Sequence, residues 1–165
     1  MAAHVIPDVL EFELDVVFCG TAPSATSKER GAYYARPGNR FWPTLFAVGL
    51  TPRLLRPEEF RAVSEYGIGL TDVSKTGWGQ DADLSSSDFD PDALRSKIVE
   101  FAPRWLAFTS KRAAAEALGR PTGYGALTDR IEETRLFVLP STSGLATRFW
   151  DIGPWQDLAD RLDKR

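Results

Sequence analysis

The side chains with the types and spacing to do chemistry gather in residues 15–49, DVVFCGTAPSATSKERGAYYARPGNRFWPTLFAVG. Tyr33 and Tyr34 offer flat ring faces, and Lys28, Arg30, Arg36 and Arg40 surround them with positive charge against Glu29 alone. Rings beside a local basic cluster suit a nucleobase and its phosphates, because bases stack on aromatic faces and phosphates pair with cations. Other chemistries are poorly supplied. The only cysteine, Cys19, lies in an apolar run, which excludes an internal disulfide and a four-cysteine metal site and marks it as a core residue. The only histidine, His4, stands outside every motif, so histidine-based catalysis is not expected.

That cluster needs a scaffold, and the hydrophobic pattern supplies one. Val16-Val17-Phe18-Cys19 reads as a buried strand that breaks at Gly20 into a loop rich in Gly, Pro, Ser and Thr. In open α/β sheets ligands bind in the crevice outside the carboxyl ends of the strands, so this loop is a candidate site on topology alone. Asn39 can cap a following helix whose Pro43 falls in the first turn and whose end is marked by Gly49, with Phe41, Leu45 and Phe46 expected on the sheet. Further strands are predicted over residues 68–73, 105–108 and 135–139, and further helices over 58–66, 92–101, 111–118 and 155–162. Residues 74–88 and 120–129 read as polar connections punctuated by Gly and Pro, and residues 1–13 as an irregular lead-in. Strands alternating with helices give an α/β chain: a three-layer α/β/α sandwich on a four-stranded parallel sheet, one domain over residues 1–165.

Composition sets the outer bounds. Hydrophobic residues at 43% and charged residues at 26% describe an ordinary soluble chain. Its net charge of −3 gives no global sign of nucleic-acid binding, although the field that matters there is that of one face. No stretch approaches the ~20 apolar residues that span a bilayer. No membrane contact, a cytoplasmic location and a monomeric state are expected.

Gly20-Thr21-Ala22-Pro23-Ser24, followed by Tyr34-Ala35-Arg36-Pro37-Gly38-Asn39-Arg40-Phe41-Trp42, resembles the first motif and following segment of the mismatch-specific uracil-DNA glycosylases and their thymine-DNA glycosylase relatives. Leu139-Pro140-Ser141-Thr142-Ser143-Gly144-Leu145-Ala146 resembles their second motif. Between the two, Gly67-Ile68-Gly69-Leu70-Thr71-Asp72-Val73 and Asp83-Leu84-Ser85-Ser86 also resemble thymine-DNA glycosylases, so the likeness covers residues 15–162. The resemblance implies a monofunctional enzyme of base excision repair, needing no cofactor. Such an enzyme binds DNA containing uracil, hydrolyses the N-glycosidic bond, releases free uracil and leaves an abasic site. Another deaminated base such as hypoxanthine, or non-catalytic binding of uracil or abasic DNA, are the alternatives.

Hydrolysing that bond requires a flipped base, donors for the charge that leaves with it, and a water at the sugar carbon. Backbone N–H groups near Thr21 and Ala22 can supply donors, and such groups are worth ~3 kcal/mol each when preorganised. Gly20 permits the sharp turn and Pro23 stiffens it. By resemblance, Tyr34 stacks on the flipped base, or else packs the loop, and Leu145 after Gly144 is the wedge that fills the vacated hole. Arg36, Arg40 and Arg148 are candidate phosphate contacts. The chain departs from the family at two places. Ala22 stands where the mismatch-specific enzymes carry the Asn that positions water, and Ser141 stands where they carry Asn and other branches carry His. Ser141 and Ser143 hydroxyls can still donate to a base oxygen or a phosphate. Asp72, ending its strand at the same sheet edge as Gly20, is the best replacement for the missing amide, either orienting water or merely capping the next turn. Asn39 is a helix cap or a base or phosphate contact, Lys111 a solvated or phosphate-facing group or a Schiff-base lysine, and Trp78 a candidate DNA contact.

Overall fold

A computed structural model of the chain describes residues 5–79, 84 and 88–163. Its centre is a five-stranded sheet of β1 (Val16–Gly20), β2 (Ile68–Asp72), β3 (Trp105–Phe108), β4 (Gly125–Ile131) and β5 (Thr134–Val138), in the order β2-β1-β3-β5-β4. The four predicted strands are all present and pair in parallel, but the sheet is mixed, not a four-stranded parallel one. The extra strand β4 pairs antiparallel with β5 at the sheet edge. Residues 120–129 had the Gly and Pro content of a connection, yet residues 125–131 alternate half-buried and exposed positions, as expected for an edge strand with one face on solvent. A register shift between Ala126 and Arg130 bends β4 along that edge.

The inner strands alternate their side chains between two covered faces. Val16, Phe18, Ile68, Leu70, Trp105, Ala107 and Phe137 face one layer. That layer contains α2 (Phe41–Ala47), a 3₁₀ helix over Pro57–Tyr66, and α5 (Gly153–Asp163). Val17, Cys19, Leu106, Phe108, Leu136 and Val138 face the other, formed by α3 (Pro91–Phe101) and α4 (Lys111–Leu118). Strands buried on both faces read as continuous apolar runs, which is why β1 was recognisable as VVFC. Cys19 is fully buried, and Trp155 is stacked on Phe18 at 5.6 Å between ring centres.

Local signals placed most helix ends. Asp90 accepts from the Ala93 N–H at 3.0 Å and opens α3 ahead of Pro91; Ser110 does the same for α4 through Ala113. Arg40, not Asn39, is the N-cap of α2 and makes no side-chain cap bond; Asn39, one residue earlier, accepts from the Phe41 N–H through Oδ1 at 2.9 Å and so satisfies the first helical N–H. Phe46 is turned to solvent, contrary to expectation; Trp42 and Thr44 join Phe41 and Leu45 in the core instead. The loop after β1 contains a helix the sequence pattern did not reveal, α1 (Ala25–Arg30), capped by Ser24 and closed by Gly31 at φ 64°.

From residue 5 to residue 13 the lead-in is irregular apart from one bridge, Val9 to Leu70, whose two backbone hydrogen bonds are both 2.9 Å. This contact explains Gly69: a Cβ there would lie 2.7 Å from the Val9 carbonyl oxygen, so only glycine lets the lead-in lie against β2. His4 and residues 83, 85 and 86 of the Asp-Leu-Ser-Ser run lie outside the described residues; Leu84 is buried.

Candidate active site

The carboxyl ends of β1, β2 and β3 lie side by side, so the residues leaving them form the floor of one cleft. Gly20 faces Asp72 in the parallel register of β1 and β2, and Cys19 faces Phe108, the last residue before Thr109. The cleft holds about 350 Å³, within the range of small-molecule sites. Gly20, Thr21 and Ala22 line it from the first motif, and Ser141, Ser143 and Leu145 from the second. Tyr34, Arg36, Asn39 and Asp72 complete the predicted set within it. Arg40, Gly144 and Arg148 do not line it.

Two loops are locked together around this space. The Arg40 N–H donates to the Thr142 carbonyl at 2.8 Å, joining the start of α2 to the second motif, and Arg40 Nη1 reaches the Ser143 carbonyl at 3.5 Å. The Arg40 guanidinium also stands over the Trp150 ring at 5.4 Å. Gly144 lies close to Gly38, with room for a Cβ only 3.2 Å from the Gly38 carbonyl oxygen. Within the second motif, Ser141 Oγ accepts from the Ser143 N–H at 3.2 Å and Ser143 Oγ from the Leu145 N–H at 3.1 Å. Each hydroxyl therefore fixes the loop through a lone pair and keeps its own O–H as a donor. Leu145 projects from this braced turn with 58% of its surface exposed, and Arg148 is exposed just beyond it.

The basic cluster divides among several tasks. Lys28 Nζ sits 3.9 Å above the Trp78 ring, Arg30 holds the Ala35 carbonyl and pairs with Glu58, and Arg40 braces the second motif. Arg36 is the member that borders the cleft. The two tyrosines also separate. Tyr33 borders the cleft but is buried, donating to the Pro7 carbonyl at 3.0 Å and accepting from Lys75 at 2.8 Å, so its hydroxyl is spent on tying the lead-in to Lys75. Tyr34 adopts φ 54°, a left-handed conformation that non-glycine residues rarely hold. Its ring lies almost flat on Phe41, 3.9 Å between centres, and its hydroxyl pairs with Thr109 Oγ1 at 3.0 Å. Burial raises the proton affinity of that hydroxyl, so it stays a neutral phenol.

Asp72 is the carboxylate on the cleft floor and only 5% exposed. Its Oδ1 is the atom that a Cβ at position 20 would meet first, and its Oδ2 is buried without a hydrogen-bond partner. Lys75 Nζ stands 3.6 Å from Oδ2, close enough to pair charge but too far for a hydrogen bond. Burial pushes the Asp72 carboxyl up from its ordinary 3.8 to about 6; Lys75 opposes that rise and Asp8 adds to it. Among the described residues no backbone N–H donates to this Oδ2, so that oxygen caps no turn.

Sequence reading missed four contributors. Thr109 and Ser110, just beyond β3, line the cleft. The rule that singled out Gly20 and Asp72, residues at carboxyl ends of parallel strands, applies equally to Thr109. Lys75 and Asp8 carried no local signal, since Asp8 comes from the lead-in. Lys111 stands 4.4 Å over the Tyr124 ring and does not line the cleft, which removes it as a Schiff-base candidate. Among the described residues there is no cluster of side chains that could hold a metal ion.

Two comparisons bear on the whole chain. The model of the uracil DNA glycosylase superfamily matches residues 7–159. The fold is similar to the solution NMR structure of a protein from Methanosarcina acetivorans provisionally described as a uracil DNA glycosylase. That match has a TM-score of 0.64 and 23% sequence identity and covers 96% of each chain.

Proposed function

Because the chain belongs to the uracil DNA glycosylase superfamily, we propose that it is a monofunctional DNA glycosylase that hydrolyses the bond between uracil and deoxyribose in DNA, closest in kind to the mismatch-specific and thymine-DNA glycosylase branches. The observation that carries this reading is Asp72, a buried carboxylate on the floor of the cleft that both motifs line.

In this reading uracil swings out of the duplex and enters the cleft. One ring face of Tyr34 is already covered by Phe41, so the base uses the opposite face or the edge. As the bond from C1′ to N1 breaks, its electron pair leaves with the base. Backbone N–H groups at Thr21 and Ala22 and the hydroxyls of Ser141 and Ser143 stabilise the resulting anion. Ionised Asp72 stabilises the positive charge left on the sugar and takes a proton from the water that adds to C1′, leaving an abasic site and free uracil. Ala22 has only a methyl group and cannot hold that water, which places the work on the carboxylate. Uracil is favoured because its anion is comparatively stable, which suits a site with few strong electrophiles. Cleft-bordering Arg36 and exposed Arg148 are assigned to the phosphates, and Leu145 to the hole left in the stack.

Ala22 and Ser141 also favour a second reading, a binder of uracil or abasic DNA that does not cut. One assay separates the two: a labelled duplex with a single uracil, incubated with protein and then treated with alkali. Cleavage at the uracil that Asp72→Asn reduces by roughly 10²-fold or more supports the enzyme and its carboxylate. Binding without cleavage supports the second reading.

A further inference from the structure

Asp72 does not stand alone behind the cleft. Lys75, whose side chain is 9% exposed, lies between two carboxylates, 3.0 Å from Asp8 Oδ1 and 3.6 Å from Asp72 Oδ2. Tyr33 holds the same ammonium at 2.8 Å. Asp8 is in turn fixed from two other elements: Lys97 of α3 reaches its Oδ2 at 2.6 Å, and the Thr71 hydroxyl of β2 donates to its Oδ1 at 2.7 Å. The Val5 N–H donates to the Lys75 carbonyl at 2.7 Å, so the lead-in grips the Lys75 backbone as well as its side chain. Thus a segment before the first strand supplies a buried anion that draws the lysine away from the cleft carboxylate.

We propose that Lys75 and Asp8 are positioning residues that set the charge state of Asp72: Asp8 holds the Lys75 ammonium just beyond hydrogen-bond reach of Asp72, which leaves Oδ2 orphaned. This rests on Asp72 being the group that handles water. The geometry gives the arrangement a purpose. A lysine bonded directly to Asp72 would hold the carboxylate fully ionised but poorly basic, whereas no lysine would leave it protonated in its buried setting. At 3.6 Å the cation does something between the two. Other charged or titratable groups around Asp72 are Lys97, through Asp8, and Tyr33, Tyr34 and Cys19, three groups that burial holds in their neutral, protonated forms. Lys75 and Asp8 are therefore the nearest groups whose removal changes the local charge.

The test is an NMR titration of aspartate carboxyl carbons in the full chain without DNA, with the Asp72 signal assigned by its loss in Asp72→Asn. The wild-type midpoint is expected near 6. Asp8→Asn keeps the shape and can still bond Thr71, but frees Lys75 to turn to Asp72; the midpoint should fall by about one unit or more. Lys75→Met removes the cation and should raise the midpoint by a similar amount, while Lys75→Arg should return it toward wild type. If Asp8→Asn leaves the midpoint within a few tenths of wild type, or if Asp8→Asn and Lys75→Met move it the same way, the proposal fails. Should Lys75→Met not fold, Asp8→Asn and Lys75→Arg decide the matter, since the proposal requires a fall in one and near-identity in the other. The readout is independent of catalysis. A wild-type protein that releases no base would overturn the glycosylase reading and leave the titration to judge this one. If base release is observed, the acid limb of its pH profile should move with the midpoint in each variant.

Discussion

Gly20 and Asp72 face each other in register across β1 and β2, and a Cβ at position 20 would lie 2.8 Å from Asp72 Oδ1 and 3.2 Å from the Tyr34 hydroxyl oxygen. Real Cβ atoms essentially never come within 3.0 Å of another heavy atom, so the absence of a side chain at Gly20 is what admits the carboxylate beside it, with the tyrosine hydroxyl at the edge of the tightest contacts seen. Gly20→Ala should therefore displace Asp72 and Tyr34 together. The expected outcome is a loss of base release of at least tenfold with a stability cost of about 1–3 kcal/mol, the usual range for overpacking. Single-turnover rates and a denaturant melt check both. Undiminished turnover in a folded Gly20→Ala protein would show that the placement of the carboxylate against Gly20 is not needed.

Asp72 should also make the protein less stable as it becomes more active. Its folded carboxyl titrates near 6 against an ordinary 3.8. The folded chain thus holds this proton more tightly than the unfolded chain does. Stability from this group is fully present below 3.8 and is lost as pH rises through about 6, by on the order of 3 kcal/mol. Base release should run the opposite way, rising through the same window as the carboxylate ionises. Asp72→Asn should flatten this part of the stability profile, raise the melting temperature at neutral pH and cut turnover by roughly 10²-fold or more. Lys75 would keep Asp8 as its partner, so the substitution leaves no unpaired cation. Thermal melts across the window, compared between wild type and variant, test the sign. A variant less stable than wild type at neutral pH would show that Asp72 is a net structural support.

How far the chain could be read before folding depended on where each signal lies. β1 was legible because both its faces are buried and the run is uniformly apolar; Asp90 and Ser110 were legible as caps because a cap is a local bond, while the cap of α2 falls at Arg40, one residue after Asn39. Gly20, Asp72 and the second motif could be gathered into one cleft because parallel strands end together. β4 escaped because its glycine-rich start and half-exposed alternation resemble a loop, and it gains its partner only through the hairpin with β5. Phe46 was misplaced because helix period alone cannot say which flank of a short helix meets the sheet. Asp8 was out of reach: its partners Lys75, Lys97 and Thr71 lie far along the chain, and nothing in its neighbours marks it as buried charge.

Among the four cations of the first loop, the structure separates one that borders the cleft from one spent on the fold. Arg36 lines the cleft, whereas Arg30 holds the Ala35 carbonyl and pairs with Glu58. Arg36→Ala should weaken binding to any short duplex by a similar factor and reduce the slope of log affinity against log salt by about 0.9, as loss of one phosphate contact does. Arg30→Ala should leave that slope unchanged. Titrations at several salt concentrations decide it; equal slopes for wild type and Arg36→Ala would remove Arg36 from the DNA-contacting surface.

Leu145 is held out rather than merely left out. Its N–H is bonded to Ser143 Oγ, the Ala146 N–H to the Ser143 carbonyl at 3.0 Å, and Gly144 rests near the Gly38 backbone, so the turn that carries the leucine is fixed from both motifs. With 58% of its surface exposed, the side chain contributes little to the core, and Leu145→Ala should change stability by no more than about 0.5 kcal/mol. A wedge acts only where there is a stack to hold open. In duplex DNA it fills the space of the extruded nucleotide and offsets an unstacking cost of a few kcal/mol, while in a single strand the base is already free. Leu145→Ala should therefore slow uracil release from a duplex by tenfold or more and leave release from a single strand nearly unchanged. The ratio of the two single-turnover rates is the informative quantity. An equal fall on both substrates would mean that Leu145 shapes the cleft itself, and no fall on either would assign the opening of the stack to another residue at the cleft mouth.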